Sequence, residues 1–176
     1  PDSGETMIAA KAGTAIGAVG TKVIDLGNPG TSVVLPFKML EGLFKADNFQ
    51  LDMQIKADIA PNAWGEVFRL HGTFLGTVTR AGDFSFIMWT EGSPAVTLIS
   101  RGVSLADGKP HDVSIRYDAD LGVLRLVVDG QFTAEAPLSA DLPKMGQWDL
   151  TFGNPWGQQN FNGQLSHFDL NVERAD

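Results

Sequence analysis

The sequence predicts an all-β protein, a sandwich or barrel of short strands. Apolar residues come in short blocks and never in a sustained helical period. Glycine contributes 20 residues and proline 9, a density of chain breakers that suits many short strands joined by turns. The dipeptides Asp107-Gly108, Asp129-Gly130 and Asn162-Gly163 fall between blocks, where hairpin turns need positive φ. At 176 residues the chain is one domain by length, and 43% apolar residues give it the means to bury a core.

Residues 1–20 are small and weakly patterned. They read as a tail or a loose first strand ahead of a sandwich over 21–176. A chain starting at Pro1 reads as a processed product or a fragment of a longer protein. The first clear block, Val23-Ile24-Asp25-Leu26, ends in the turn cluster Gly27-Asn28-Pro29-Gly30. A second covers 32–37, and 39–46 is the one candidate helix. Phe49, Leu51, Met53 and Ile55 alternate with Gln50, Asp52 and Gln54, which puts the apolar set on one strand face. Strands then follow at 66–71, 83–90, 96–99, 113–117, 123–128, 150–152 and 165–172. In 123–128, Leu124, Leu126 and Val128 suit the core while Arg125 faces water.

Several functions are excluded at this level. The net charge is −8 and no basic run exists, so nucleic acid is not a partner. No apolar stretch reaches the length of a spanning helix, so membrane insertion is not expected. With 0 cysteines there is no disulfide, thiolate metal site or cysteine nucleophile. The histidines His71, His111 and His167 are scattered and lack metal-ligand spacing.

The segment Asp107-Gly108-Lys109-Pro110-His111-Asp112-Val113 is followed by a strand and then by one ending in Val128-Asp129-Gly130. Further on come Trp148-Asp149-Leu150-Thr151-Phe152-Gly153 and Phe161-Asn162-Gly163-Gln164-Leu165. This order resembles the laminin-G-like branch of the concanavalin A-like lectin/glucanase superfamily, over about 49–173. Pro110 departs from it, standing where that family carries an aromatic. The resemblance implies a two-sheet antiparallel jelly-roll sandwich with its sheets face to face, one concave outer face, first and last strands close together, and a structural role for His111.

Sandwich glycosidases of this superfamily place paired carboxylates on one strand as ExDxxE. None of Glu5, Glu41, Glu66, Glu91, Glu135 and Glu173 begins that pattern, so the chain reads as a non-enzyme. The resemblance also implies a rim Ca²⁺, with Asp83 as carboxylate and Ser100 near a carbonyl ligand. The last ligand falls around Lys144-Met145-Gly146, which offers no oxygen side chain. Asp83 also reads as a plain turn residue after Gly82.

Binding candidates come from aromatics and amides. In one strand phase Phe84, Phe86 and Met88 face outward, beside Arg69, His71, Thr97 and Ile99. In the other phase they are buried and Trp89 is exposed. Residues 36–49 can cover that face as a lid. Trp156 lies in a loop with Asn154, Gln158, Gln159 and Asn160, the mix of flat apolar face and amides that sugars need. Trp64 sits in a similar setting. Either tryptophan can instead fold back to plug the sandwich end.

The leading expectation is a non-catalytic recognition module for carbohydrate, extracellular or on the cell surface, in an adhesin-type protein with neighbouring domains. The next is a structural module that binds an extracellular protein. The third is a sandwich glycosidase or polysaccharide lyase.

Overall fold

A computed structural model describes residues 15–18, 23–26, 33–40, 48–58, 64–138, 148–153 and 161–173. Within them the strands are β1 Ala15–Ala18, β2 Ile24–Asp25, β3 Val33–Leu35, β4 Asn48–Ala57, β5 Trp64–Leu70, β6 Phe74–Thr79 and β7 Phe84–Thr90. They continue with β8 Ser93–Ile99, β9 Pro110–Asp118, β10 Val123–Val128, β11 Gln131–Pro137, β12 Leu150–Phe152 and β13 Gly163–Glu173. One sheet has seven strands in the order β1-β13-β4-β9-β10-β11, with β2 also on β13; the other has six, β3-β12-β5-β6-β7-β8. Every pairing is antiparallel, and β1 runs beside β13 as the resemblance implies. Part of the 1–20 segment is therefore paired sheet. The candidate helix amounts to one 3₁₀ turn, Phe37–Met39, and 41–47 lie outside the described residues.

The alternation in β4 sends Phe49, Leu51, Met53 and Ile55 into the core. From β10, Leu124, Leu126 and Val128 join them. The centre of the core is aromatic. The Phe68 ring lies 5.8 Å from Phe74, 6.2 Å from Phe86 and 6.2 Å from Phe168 across the gap between sheets. A side chain at Gly76 would run into the Phe68 ring, so only glycine fits beneath it.

This aromatic cluster settles the phase of β7. Phe84, Phe86 and Met88 are all 0% exposed. Phe86 lies opposite Gly76, which leaves it room, and Met88 opposite Phe74. The expectation that these three contact ligand is thus corrected: they are core residues, and Ser85, Ile87 and Trp89 hold the outward side.

In β13 strict alternation would bury only one of Leu165 and Phe168, which are separated by an odd number of positions. Both are buried. A bulge between Ser166 and Asp169 resets the phase, with His167 at φ 51°.

The aspartate-glycine turns are clasped together. His111 contacts Asp129 Oδ2 at 2.7 Å through Nδ1 and Asp107 Oδ1 at 2.9 Å through Nε2. Asp129 Oδ1 also accepts the Asp112 N–H at 2.9 Å. Both ring nitrogens meet carboxylates, which favours the doubly protonated ring. Burial opposes that charge, and the bonds from Asp129 and Asp107 outweigh it, raising the His111 pKa. The His111 bond and the Lys109 N–H lower that of Asp107.

Candidate functional site

The outward face of the seven-stranded sheet is built from the residues that alternate with the core set. Register places Asn171, Gln50, Arg116, Arg125 and Glu135 side by side across β13, β4, β9, β10 and β11. The neighbouring line runs Asp169, Asp52, Ser114 and Val127. Next to it, Gln54 faces Asp112. Polar side chains hold one another: Gln50 Nε2 donates to Asp52 Oδ2 at 2.5 Å, Gln54 Nε2 to Asp112 Oδ1 at 3.2 Å, and Arg116 Nε to Ser114 Oγ at 3.2 Å.

Two open depressions lie on this face. One, of about 450 Å³, is lined by Asn48, Gln50, Arg116, Asp118, Arg125 and Asn171 among others. The second, about 380 Å³, is lined by Asp52, Asp112, Ser114, Arg116, His167 and Asp169. Arg116 borders both. Burial raises the Asp169 pKa, the Asp52 carboxylate opposite adds to that, and His167 opposes it. His167 holds a strained non-glycine conformation at the bulge, with Nδ1 3.1 Å from Ser166 Oγ. Carboxylates that accept, amides that do both and guanidinium groups that donate form a surface suited to hydroxyl-rich ligands.

Of the candidates named from sequence, the described ones fall elsewhere. Asn154, Trp156, Gln158, Gln159 and Asn160 lie outside the described residues, and so does the side chain of Trp64. Arg69 donates to Glu66 at 2.7 and 3.2 Å, with Glu66 only 1% exposed. His71 is exposed and packs its ring on Trp148, centroids 4.7 Å apart. Asp83 and Ser100 do come together, since Phe84 N donates to Ser100 Oγ at 2.8 Å. The Ser100 hydroxyl and carbonyl are both bonded to Val103. The described donors there are one carboxylate and one shared carbonyl, a set that fits a weak oxygen site and no more; residues 144–146 lie outside the description. Among the described residues no group of three or more acidic or histidine side chains converges as a metal site.

Sequence reasoning did not single out Gln50, Asp52, Ser114, Arg116 and Asn171 as candidates. A signal existed: four of the five outward positions of β4, Asn48, Gln50, Asp52 and Gln54, are amides or a carboxylate, and only Lys56 departs.

The chain matches the concanavalin A-like lectin/glucanases superfamily, in its laminin G branch, over residues 30–171. Among solved structures it is similar to the CBM40 of Ruminococcus gnavus IT-sialidase bound to α2,3 sialyllactose. The TM-score there is 0.70 at 13% identity, over 92% of this chain and 95% of that one. It is also similar to the botulinum neurotoxin serotype D binding domain, TM-score 0.68 at 14% identity, over 88% of this chain and 40% of that one. The binding domain of Paraclostridial Mosquitocidal Protein 1 gives 0.67 at 12% identity, over 99% and 46%. The chain thus spans under half of each toxin structure. A comparison with curated proteins returns no match. Identities this low speak for the shared sandwich alone, and the family match carries the assignment: the chain belongs to the concanavalin A-like lectin/glucanase superfamily.

Proposed function

We propose that this chain is a non-catalytic carbohydrate-recognition module whose glycan lies across β13, β4, β9 and β10. The observation that carries the reading is the polar ladder Asn171–Gln50–Arg116–Arg125 on the floor of an open depression of about 450 Å³. The binding of sialyllactose by a structure of the same fold supports a glycan as ligand class. An open, wet site implies Kd values from about tens of micromolar to millimolar. The setting we infer is extracellular or cell-surface, within a larger adhesin-type protein. A rim Ca²⁺ at Asp83 and a contribution from Trp156 belong to the same proposal.

The test is a glycan array read with and without EDTA, using the parent chain, Gln50→Ala, Asn171→Ala and Trp156→Ala. Loss of binding in the first two, with unchanged thermal unfolding, supports the sheet face. Binding lost only in Trp156→Ala moves the site to the loop, and no glycan bound at millimolar concentration defeats the reading.

A second reading rests on Asp52 and Asp169, which stand directly opposite across β4 and β13. Paired carboxylates with one pKa raised are also the equipment of a glycosidase. Sugar reducing ends released in proportion to protein, and abolished by Asp169→Asn, would establish it; our reading expects none.

A further inference from the structure

We infer that the saccharide held on this face is an acidic one, whose carboxylate or sulfate is received by Arg116; the inference rests on the carbohydrate reading above. Arg116 and Arg125 are cross-strand partners on β9 and β10. Like charges facing each other across an antiparallel pair repel. Arg125 is neutralised by Glu135, whose Oε2 lies 2.5 Å from Nε. Arg116 has no carboxylate partner among the described residues, and its one hydrogen bond runs to the Ser114 hydroxyl. This happens in a chain with 21 acidic and 13 basic residues.

The nearby carboxylates are occupied by other donors. Asp52 takes the Gln50 amide, Asp112 the Gln54 amide, and Asp118 the Leu121 N–H at 3.0 Å. The other N–H groups of the Arg116 fork are left for a ligand, on the wall the two depressions share. A planar fork of donors matches two oxygens of a carboxylate or sulfate. An anion seated there neutralises Arg116 as Glu135 neutralises Arg125. The amides of Gln50 and Asn171 flank the spot and serve neighbouring hydroxyls.

The other half of the face limits the ligand. Asp169 and Asp52 repel a second anionic group, so a sugar with one acidic residue fits better than a chain charged at every unit.

The experiment compares matched probes by calorimetric titration: oligosaccharides with one terminal uronic acid against their methyl esters, singly sulfated disaccharides against unsulfated ones, and a heparin hexasaccharide. Parent, Arg116→Gln, Arg116→Lys and Arg125→Gln chains are used, each checked for folding by circular dichroism. The acids should bind at least about tenfold more tightly than their neutral partners, a charge-assisted increment. Arg116→Gln should erase that preference, Arg116→Lys should restore part of it, and heparin should bind no better than the singly charged probes. Equal binding of acidic and neutral members, or a preference untouched by Arg116→Gln, overturns the inference and leaves the carbohydrate reading standing. No binding by any probe overturns both.

Discussion

The outward faces of the two sheets are built from the same period-two alternation and have opposite fates. On the seven-stranded sheet the outward positions are mostly polar, partly exposed and gathered around open depressions. On the six-stranded sheet Glu66, Thr77 and Ser85 also point away from the core, since their neighbours Phe84, Phe86 and Val78 fill it. Yet they are 1%, 6% and 6% exposed. The open face can meet a ligand at little cost to the fold. The covered part of the second face, beside the exposed Trp89, holds polar groups under cover, where each must keep its partner. Changes on the first should therefore be read in binding, and changes on the second in stability.

Between the two faces lies the core, and it sets the scale. Phe68→Ala should cost about 3–5 kcal/mol in denaturant unfolding, because the ring touches aromatic partners from both sheets and leaves a cavity. A loss below about 1 kcal/mol would mean that the sandwich interior is far looser than these contacts describe.

The sharpest contrast compares two ion pairs of the same chemistry. Glu66–Arg69 has side chains 1% and 27% exposed, whereas Glu135–Arg125 has 39% and 40%. Glu66→Ala strands a half-sheltered guanidinium and should cost about 2 kcal/mol, less than a fully buried pair because Arg69 still reaches water. Glu135→Ala should fall within about 0–1 kcal/mol. Equal costs at the two sites, measured by parallel unfolding curves, would erase the distinction between the faces.

The same contrast decides how much was legible beforehand. In β4 one phase is Phe49, Leu51, Met53, Ile55 and the other Gln50, Asp52, Gln54, so chemistry alone assigns the faces. In β7 both phases are bulky, Phe84, Phe86 and Met88 against Ile87 and Trp89. Only the room above Gly76, supplied by another strand, chooses between them. Two strands were missed for related reasons. β6 is buried on both sides and does not alternate, and β11 is a mostly exposed edge with little apolar content. The aspartate-glycine and Val-Asp-Gly motifs were legible because a local turn requires them. The ladder around Arg116 was not, because it forms only when β13, β4, β9 and β10 come into register.

A pH series probes the clasp at the end of the open sheet. The raised His111 pKa means that its contribution is complete below the ordinary histidine value near 6.5 and fades as pH rises through the higher folded value. Asp107, lowered, contributes above its ordinary value near 3.8 and loses that as pH falls. Stability attributable to the clasp should thus hold between these limits and decline as pH rises through the raised His111 value. His111→Gln should flatten that decline, as followed by melting temperature from pH 5 to 9. An identical profile in the variant would leave the two turns held by their backbone bonds alone.

The smallest expected effect concerns the proposed calcium, and it probes whether the six-stranded sheet has a ligand of its own. Asp83 precedes β7, and its carboxylate makes no hydrogen bond among the described residues; beside it the Ser100 carbonyl already accepts the Val103 N–H at 3.2 Å. One free carboxylate implies a dissociation constant of about 1 mM, the range of weak extracellular sites. At about 5 mM Ca²⁺, mass action on the folded state then gives about 1 kcal/mol, or about 2–4 °C in melting temperature for a domain of this size. Asp83→Ala should abolish the rise and leave the temperature without calcium nearly unchanged, since a half-buried turn carboxylate without a hydrogen-bond partner among the described residues contributes little by itself. Mg²⁺ at the same concentration separates site binding from ionic strength, because it keeps its waters and resists a loose oxygen cage. A rise that survives Asp83→Ala places the ion elsewhere, and the acidic line Asp52–Asp169 on the open face becomes the next position to substitute.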